Sequence, residues 1–176
     1  MLTIFQAEPK DAEAILVLQK LAYQSEAALY NDWTLPPLTE SIESLLAEFK
    51  SSVVLKAVSG ERIVGSVRAK VTLGICAIGR LVVHPNFQGQ GIGSSLLKRI
   101  EANFPHVSKY ELFTGSKSEA NIRLYQRHGY TISRMQAFSA TVSLTLSREG
   151  NECSPLTLPS SGHPTAGHTG ALRQGR

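Results

Sequence analysis

The run Leu81-Val82-Val83-His84-Pro85-Asn86-Phe87-Gln88-Gly89-Gln90-Gly91-Ile92-Gly93-Ser94 constrains the fold more than any other part of the chain. Leu81, Val82 and Val83 read as the end of a buried strand, and the glycines that follow read as a turn. Ile92, Leu96, Leu97 and Ile100 then make the inner face of a helix expected over 91–104, stopped by Pro105. A strand that runs through glycines into a helix belongs to a fold with a helix packed on a sheet. The turn also has a chemical meaning. It aims successive backbone N–H groups at one spot on a helix N-terminus, the usual way to hold a phosphate or pyrophosphate. Gly91 and Gly93 let the chain approach such an anion with no Cβ in the way.

Three anion-binding turns share this logic, and spacing separates them. A Walker loop needs Gly-Lys-Ser/Thr after its second glycine, and the next lysine here is Lys98. A dinucleotide fingerprint needs G-x-G-x-x-G. Gly89, Gly91 and Ser94 nearly fit it, but Glu111 falls inside its strand and not at the end, where a ribose would lie. The third option is Gln88-x-x-Gly91-x-Gly93 after a strand ending Val83-His84-Pro85. It resembles the acetyl-CoA signature Q/R-x-x-G-x-G/A of the GNAT superfamily of N-acetyltransferases. A second block, Asn121-Ile122-Arg123-Leu124-Tyr125-Gln126-Arg127-His128-Gly129-Tyr130, resembles that family's N-x-x-x-Y-x-x-x-G-F/Y helix. With the order of elements, the resemblance covers residues 2–147.

The resemblance implies an acetyl-CoA-dependent N-acetyltransferase that uses no metal. The fold it implies is mixed α/β: a mostly antiparallel sheet of about seven strands flanked by about four helices. The strand holding Leu81, Val82 and Val83 would splay from the one near 110–114, with cofactor in the wedge. Backbone groups of Leu81 and Val83 would pair with the pantetheine arm. Amides of Gly89, Gln90, Gly91, Ile92, Gly93 and Ser94, following Gln88, would bind the pyrophosphate. Asn121 and Tyr125, four apart, share one helical face. By position, the Asn121 amide would hold cofactor and the Tyr125 hydroxyl would serve as general acid to the departing sulfur. Many family members carry a glutamate on the strand before the signature, where this chain has Ile78-Gly79-Arg80. The general base is therefore open among His84, Glu111, Glu26 and Asp32.

The rest of the chain supplies the expected elements. Leu2–Ala7 reads as a first strand, and Pro9, Asp11 and Glu13 as a helix start. Ile15, Leu16, Leu18 and Leu21 form that helix's apolar stripe. The segment 23–38 breaks at Asn31-Asp32 and stops at Pro36-Pro37. Thr39 is placed to cap a second helix carrying Glu40 and Glu43 in its first turn. From Val53 the period becomes that of a sheet: 53–58, 63–73 and 75–83. Another strand covers 110–114. Ser116 to Glu119 has capping-box spacing ahead of a helix ending at Gly129, and a hairpin follows over 130–146. The acceptor amine is expected beside 23–38 and the last hairpin, with Tyr30, Asp32 and Trp33 as a wall for a cation. Arg80 and Arg134 point instead to a carboxylate-bearing acceptor.

The 176 residues, 42% hydrophobic, suffice for one domain, expected over 1–149. The stretch 150–176 is rich in Gly, Pro, Ser, Thr and His and reads as a disordered tail; His163 and His168 in it lack metal-ligand spacing. Two cysteines, Cys76 in an apolar run and Cys153 in the tail, suggest no disulfide framework, consistent with a cytoplasmic protein. The net charge is +4, but the basic residues are scattered and form no stripe with aromatics, so no nucleic acid is expected as partner. No apolar run is long enough for a membrane span, so no membrane is expected either. The expected partners are acetyl-CoA and an amine, with a homodimer as a further option.

Overall fold

The computed structural model describes residues 1–138 and 141–150. Seven strands form one sheet in the order β1-β2-β3-β4-β5-β7-β6. They are β1 (Leu2–Gln6), β2 (Val53–Ser59), β3 (Arg62–Thr72), β4 (Ile75–Val83), β5 (Lys109–Gly115), β6 (Thr131–Phe138) and β7 (Thr141–Glu149). Short turns join β2, β3 and β4, so these pair antiparallel. β4 and β5 are parallel because the chain crosses back through a helix between them.

The helical segments are α1 (Ala12–Ala22), α2 (Gln24–Tyr30), α3 (Pro36–Thr39), α4 (Ile42–Glu48), α5 (Ile92–Ala102) and α6 (Glu119–Arg127). The four helices expected from sequence are α1, α4, α5 and α6. The segment that reads as broken contains two more short ones, separated at Asn31, whose φ of 51° is left-handed. Two caps differ from expectation. Ser41, not Thr39, caps α4, accepting the Ser44 N–H at 3.1 Å. Glu40, expected in that helix's first turn, is drawn inward to Gln19 and Arg68. Ser118, not Ser116, sits at the start of α6; it makes no side-chain cap bond, and its hydroxyl donates to Glu26.

α5 packs on one face of the sheet, where Ile92, Leu96, Leu97 and Ile100 are buried against Val64, Val67, Ile78 and Leu112. Gly65 makes room for it, since a Cβ there would lie 2.9 Å from Leu96 Cδ1. A second cluster joins Ala12, Ile15 and Leu16 of α1 to Leu45 of α4 and Val54 of β2. Gly150, which reads as the first residue of the tail, belongs to the packed domain. Its N–H donates to Ser108 O at 2.8 Å, and a Cβ would collide with Val107 O.

Two irregularities position the site. On β3, Ser66 pairs with Val82 and Arg68 with Gly79, so Val67 faces two residues, Arg80 and Leu81. This is a β-bulge, and Arg80 takes the left-handed φ of 51° within it. Pairing of β4 with β5 then ends at Ile78↔Leu112, while β5 continues against β7 to Gly115↔Ser143. Beyond Ile78 the two parallel strands part.

Candidate active site

A cavity of about 790 Å³ fills the wedge where β4 and β5 separate. Its floor is β4 from Ile78 to Val83. One wall is the glycine turn with the start of α5, and the opposite wall is the end of β5 with α6. The far end is lined by Tyr23 and Glu26 at the α1–α2 junction.

The glycine turn is shaped for an anion. Gly89 and Gly91 have φ of 74° and 79°, and a Cβ added at either would meet nothing within 4 Å. Glycine is therefore required there by backbone conformation and not by packing, and the space in front is open. Ser95 is the residue whose N–H first closes the helix, onto Gly91 O at 3.0 Å. The N–H groups of Ile92, Gly93 and Ser94 precede that bond and point out of the helix start. Gly93 has a different task. Its Cβ would lie 3.3 Å from Leu124 Cδ2, so its absence lets α5 and α6 close together and brings the two sequence blocks onto one cavity.

The edge of β4 that faces β5 has no strand partner from Gly79 to Val83. It offers unpaired backbone groups to an extended ligand lying in the wedge. Gln88 Nε2 donates to one of them, Val83 O, at 3.3 Å. On α6, Asn121 and Tyr125 both line the cavity. The Tyr125 ring is buried beside Tyr130. Burial pushes its hydroxyl well above the ordinary phenol value, and the neighbouring Tyr23 and Glu26 push it further. The proton therefore stays on Tyr125 at any working pH.

A family model for the acetyltransferase (GNAT) family matches residues 15–130, which hold the glycine turn and the α6 block. The chain belongs to the GNAT acetyltransferase family. Solved structures share the fold. The ribosomal-protein-S18-alanine N-acetyltransferase from Escherichia coli superposes with a TM-score of 0.74 at 16% identity, over 90% of this chain and 100% of that one. The PaiA N-acetyltransferase from Thermoplasma acidophilum, solved with coenzyme A, gives 0.72 at 15% identity, over 85% and 99%. The yncA protein from Salmonella typhimurium, solved with acetyl-CoA, gives 0.68 at 18% identity, over 86% and 95%. At these identities the likeness is one of fold. Comparison with curated protein sequences finds no match.

Within this GNAT cavity the expected site residues divide. Leu81, Val82, Val83, Gln88, Gly89, Gly91, Ile92, Gly93, Ser94, Asn121 and Tyr125 line it; Gln90 lies just outside. Of the four base candidates Glu26 lines it, and His84, Glu111 and Asp32 do not. Glu111 sits on β5 turned away from the cavity and pairs with Lys109 at 2.8 Å. His84 is engaged in its own turn, Nδ1 accepting the Asn86 N–H at 3.2 Å and the ring lying edge-on to Phe87. The expected acceptor wall is also displaced. The left-handed Asn31 ends α2 and carries the chain outward, so Trp33 is exposed and Asp32 accepts from Thr34 N–H and hydroxyl. Tyr30 is a tether. Its hydroxyl accepts the Lys117 N–H at 2.6 Å, and a Cβ at Gly115 would overlap it.

At that end the cavity is lined by Tyr23 and by Glu26, a base candidate of the sequence that lies one turn before Tyr30. Glu26 is the one carboxylate among the described cavity-lining residues, and it is held by the hydroxyl of buried Ser118. Arg123 and Arg127 also line the cavity. Their i, i+4 spacing on the Asn121–Tyr125 helix was a readable signal for an anionic ligand. Ser118 carried none, because its partner is 92 residues away in sequence. No group of three or more His, Cys, Asp or Glu placed to hold a metal occurs among the described residues.

Proposed function

We propose that this acetyltransferase moves the acetyl group of acetyl-CoA onto a primary amine by direct attack, with Glu26 receiving the amine and Tyr125 facing the departing sulfur. One observation carries the reading: a single carboxylate and a buried phenol, whose burial favours its protonated form, line the same cavity in the wedge. The residues present fit the donor. The turn from Gly89 to Ser94 gives N–H groups to a pyrophosphate, and Arg123 and Arg127 add positive charge along its path. The free edge of β4 can hydrogen-bond an amide-bearing arm such as pantetheine. Asn121 adds an amide on the facing wall.

The thioester supplies an activated acyl group and a thiolate leaving group. The chain's own residues do the rest. Glu26, oriented by Ser118, takes the proton of the attacking amine, directly or through one water. A backbone N–H on the free β4 edge polarises the acyl oxygen. The Tyr125 hydroxyl donates to the sulfur as charge develops there. The setting proposed is a reducing cytoplasm; Cys76, the free thiol among the described residues, is buried, and burial pushes it up to about 12. No helix of the described residues is long and apolar enough to cross a membrane.

The test is thiol release from acetyl-CoA with amines, polyamines, amino acids and short peptides, on wild type and Glu26→Gln. Wild type should release thiol with at least one amine. The variant should lose about 10²-fold or more in kcat/KM with acetyl-CoA affinity nearly unchanged. A variant that keeps the wild-type kcat/KM would remove Glu26 as the base. Binding of acetyl-CoA with no amine acetylated would favour a non-catalytic acetyl-CoA sensor.

A further inference from the structure

We infer that Arg80 binds a carboxylate of the acceptor, so that the substrate is an amino carboxylate held between Arg80 and Glu26. This deepens the amine-transfer reading and rests on it for the position of the amine. Arg80 lines the cavity from the β4 bulge, in a left-handed backbone conformation that a side chain of its kind rarely adopts. Strain of this sort is retained where the surroundings impose it, often at ligand sites.

The charge around Arg80 is incompletely matched. Its nearest carboxylate is Glu40, with Nε 3.8 Å from Oε2, beyond hydrogen-bonding reach, and that nitrogen is buried without a partner. Glu40 is already engaged. Gln19 Nε2 donates to Oε2 at 2.7 Å and Arg68 Nη2 to Oε1 at 2.9 Å. Arg68 and Arg80 thus share one carboxylate, which leaves one positive charge over at a place only 29% exposed and on the cavity lining. A half-buried cation without a full counter-charge is stabilised by an anion brought to it, and a guanidinium suits a carboxylate best.

The only negative charge among the described lining residues is Glu26, and the Tyr23 hydroxyl lies near enough to Arg80 and Glu26 to feel both charges. This end of the cavity is therefore bipolar, cationic at Arg80 and anionic at Glu26. A simple amine or a polyamine would satisfy Glu26 and leave Arg80 unmatched. An amino acid, with its ammonium and carboxylate a few ångströms apart, satisfies both.

The experiment compares each of the twenty common amino acids with its own α-amide. Two readouts are taken: calorimetric binding to the CoA-loaded protein, and thiol release from acetyl-CoA. In wild type at least one acid should be favoured over its amide by about 10- to 100-fold, the value of one charge-assisted bond. In Arg80→Gln that ratio should fall toward one through a rise in KM for the acid alone, and Arg80→Lys should restore part of it. A wild-type ratio below about threefold for every pair, or a preference that survives Arg80→Gln, overturns the inference. The wild-type ratio and the lysine variant decide the matter if Arg80→Gln fails to fold. Absence of thiol release with every amine would overturn the amine-transfer reading, while the calorimetric ratio would still decide the role of Arg80.

Discussion

Replacing Tyr125 by phenylalanine removes one hydroxyl and keeps a ring that is 5% exposed and packed against Tyr130. The hydroxyl makes no hydrogen bond to the described residues, so folding should lose nothing and stability should change by less than about 0.5 kcal/mol, as for neutral substitutions. The kinetic cost follows from the same burial. A free thiol has a pKa of about 8.5, whereas burial, Tyr23 and Glu26 hold the Tyr125 proton far more tightly. Complete transfer to a thiolate would run uphill. The hydroxyl instead stabilises developing negative charge as a donor, an interaction worth roughly 1.5–3 kcal/mol, or about 10- to 150-fold in rate. Single-turnover thiol release, measured where chemistry limits the rate, should show that loss in kcat with acetyl-CoA affinity nearly unchanged. No descending limb belonging to Tyr125 should appear at alkaline pH in wild type, because its raised pKa keeps it protonated. A variant with wild-type kcat would refute the role. A fall of many degrees in melting temperature would show that the hydroxyl is structural after all.

Gly91→Glu should abolish acetyl-CoA binding by calorimetry, since it puts a negative charge where the turn aims its N–H groups. Gly91→Ala serves as control for the left-handed φ of 79°, and should cost about 1 kcal/mol of stability with weaker loss of binding; equal affinity in wild type and Gly91→Glu would mean the turn is not the anion site. Glu40→Gln should destabilise by about 2–4 kcal/mol, because Arg68 and Arg80 lose their shared counter-charge. Burial alone would raise the Glu40 carboxyl, but bonds from Gln19 and Arg68 and the charges of Arg68 and Arg80 outweigh that and hold it low. Its contribution is therefore present above the unfolded carboxylate value, about pH 4.3, and lost as pH falls through the folded one; the gap in melting temperature between wild type and variant should narrow below about pH 4. Removing residues 151–176 should leave melting temperature and turnover nearly unchanged, given how little apolar area that composition can bury. A drop of several degrees would place part of that stretch on the core.

What could be read from the sequence alone was what local chemistry dictates. Alternation along 53–58 and 75–83, the stripe Ile92–Leu96–Leu97–Ile100 and the glycine punctuation are short-range patterns, and each reports its element without knowledge of the rest. The glycine turn and the Asn121–Tyr125 pair were legible for the same reason, as spacings within one turn or one helix. The structure alone decided where those pieces meet and what else meets them. The widening of β4 from β5 depends on a bulge across from Val67 and on β7 continuing where β4 stops. Ser116 read as the helix cap, but Ser118 stands at that helix start and binds Glu26 from another helix, and Glu40 looked like a first-turn acid but neutralises Arg68. Tyr30, Asp32 and Trp33 read as one wall, but the left-handed Asn31 carries Asp32 and Trp33 outward while Tyr30 is held at Lys117 and Gly115. A side chain's partner across the fold is set by the packing of whole elements, and one residue's backbone angle can redirect a loop. Neither leaves a mark in the spacing of nearby residues.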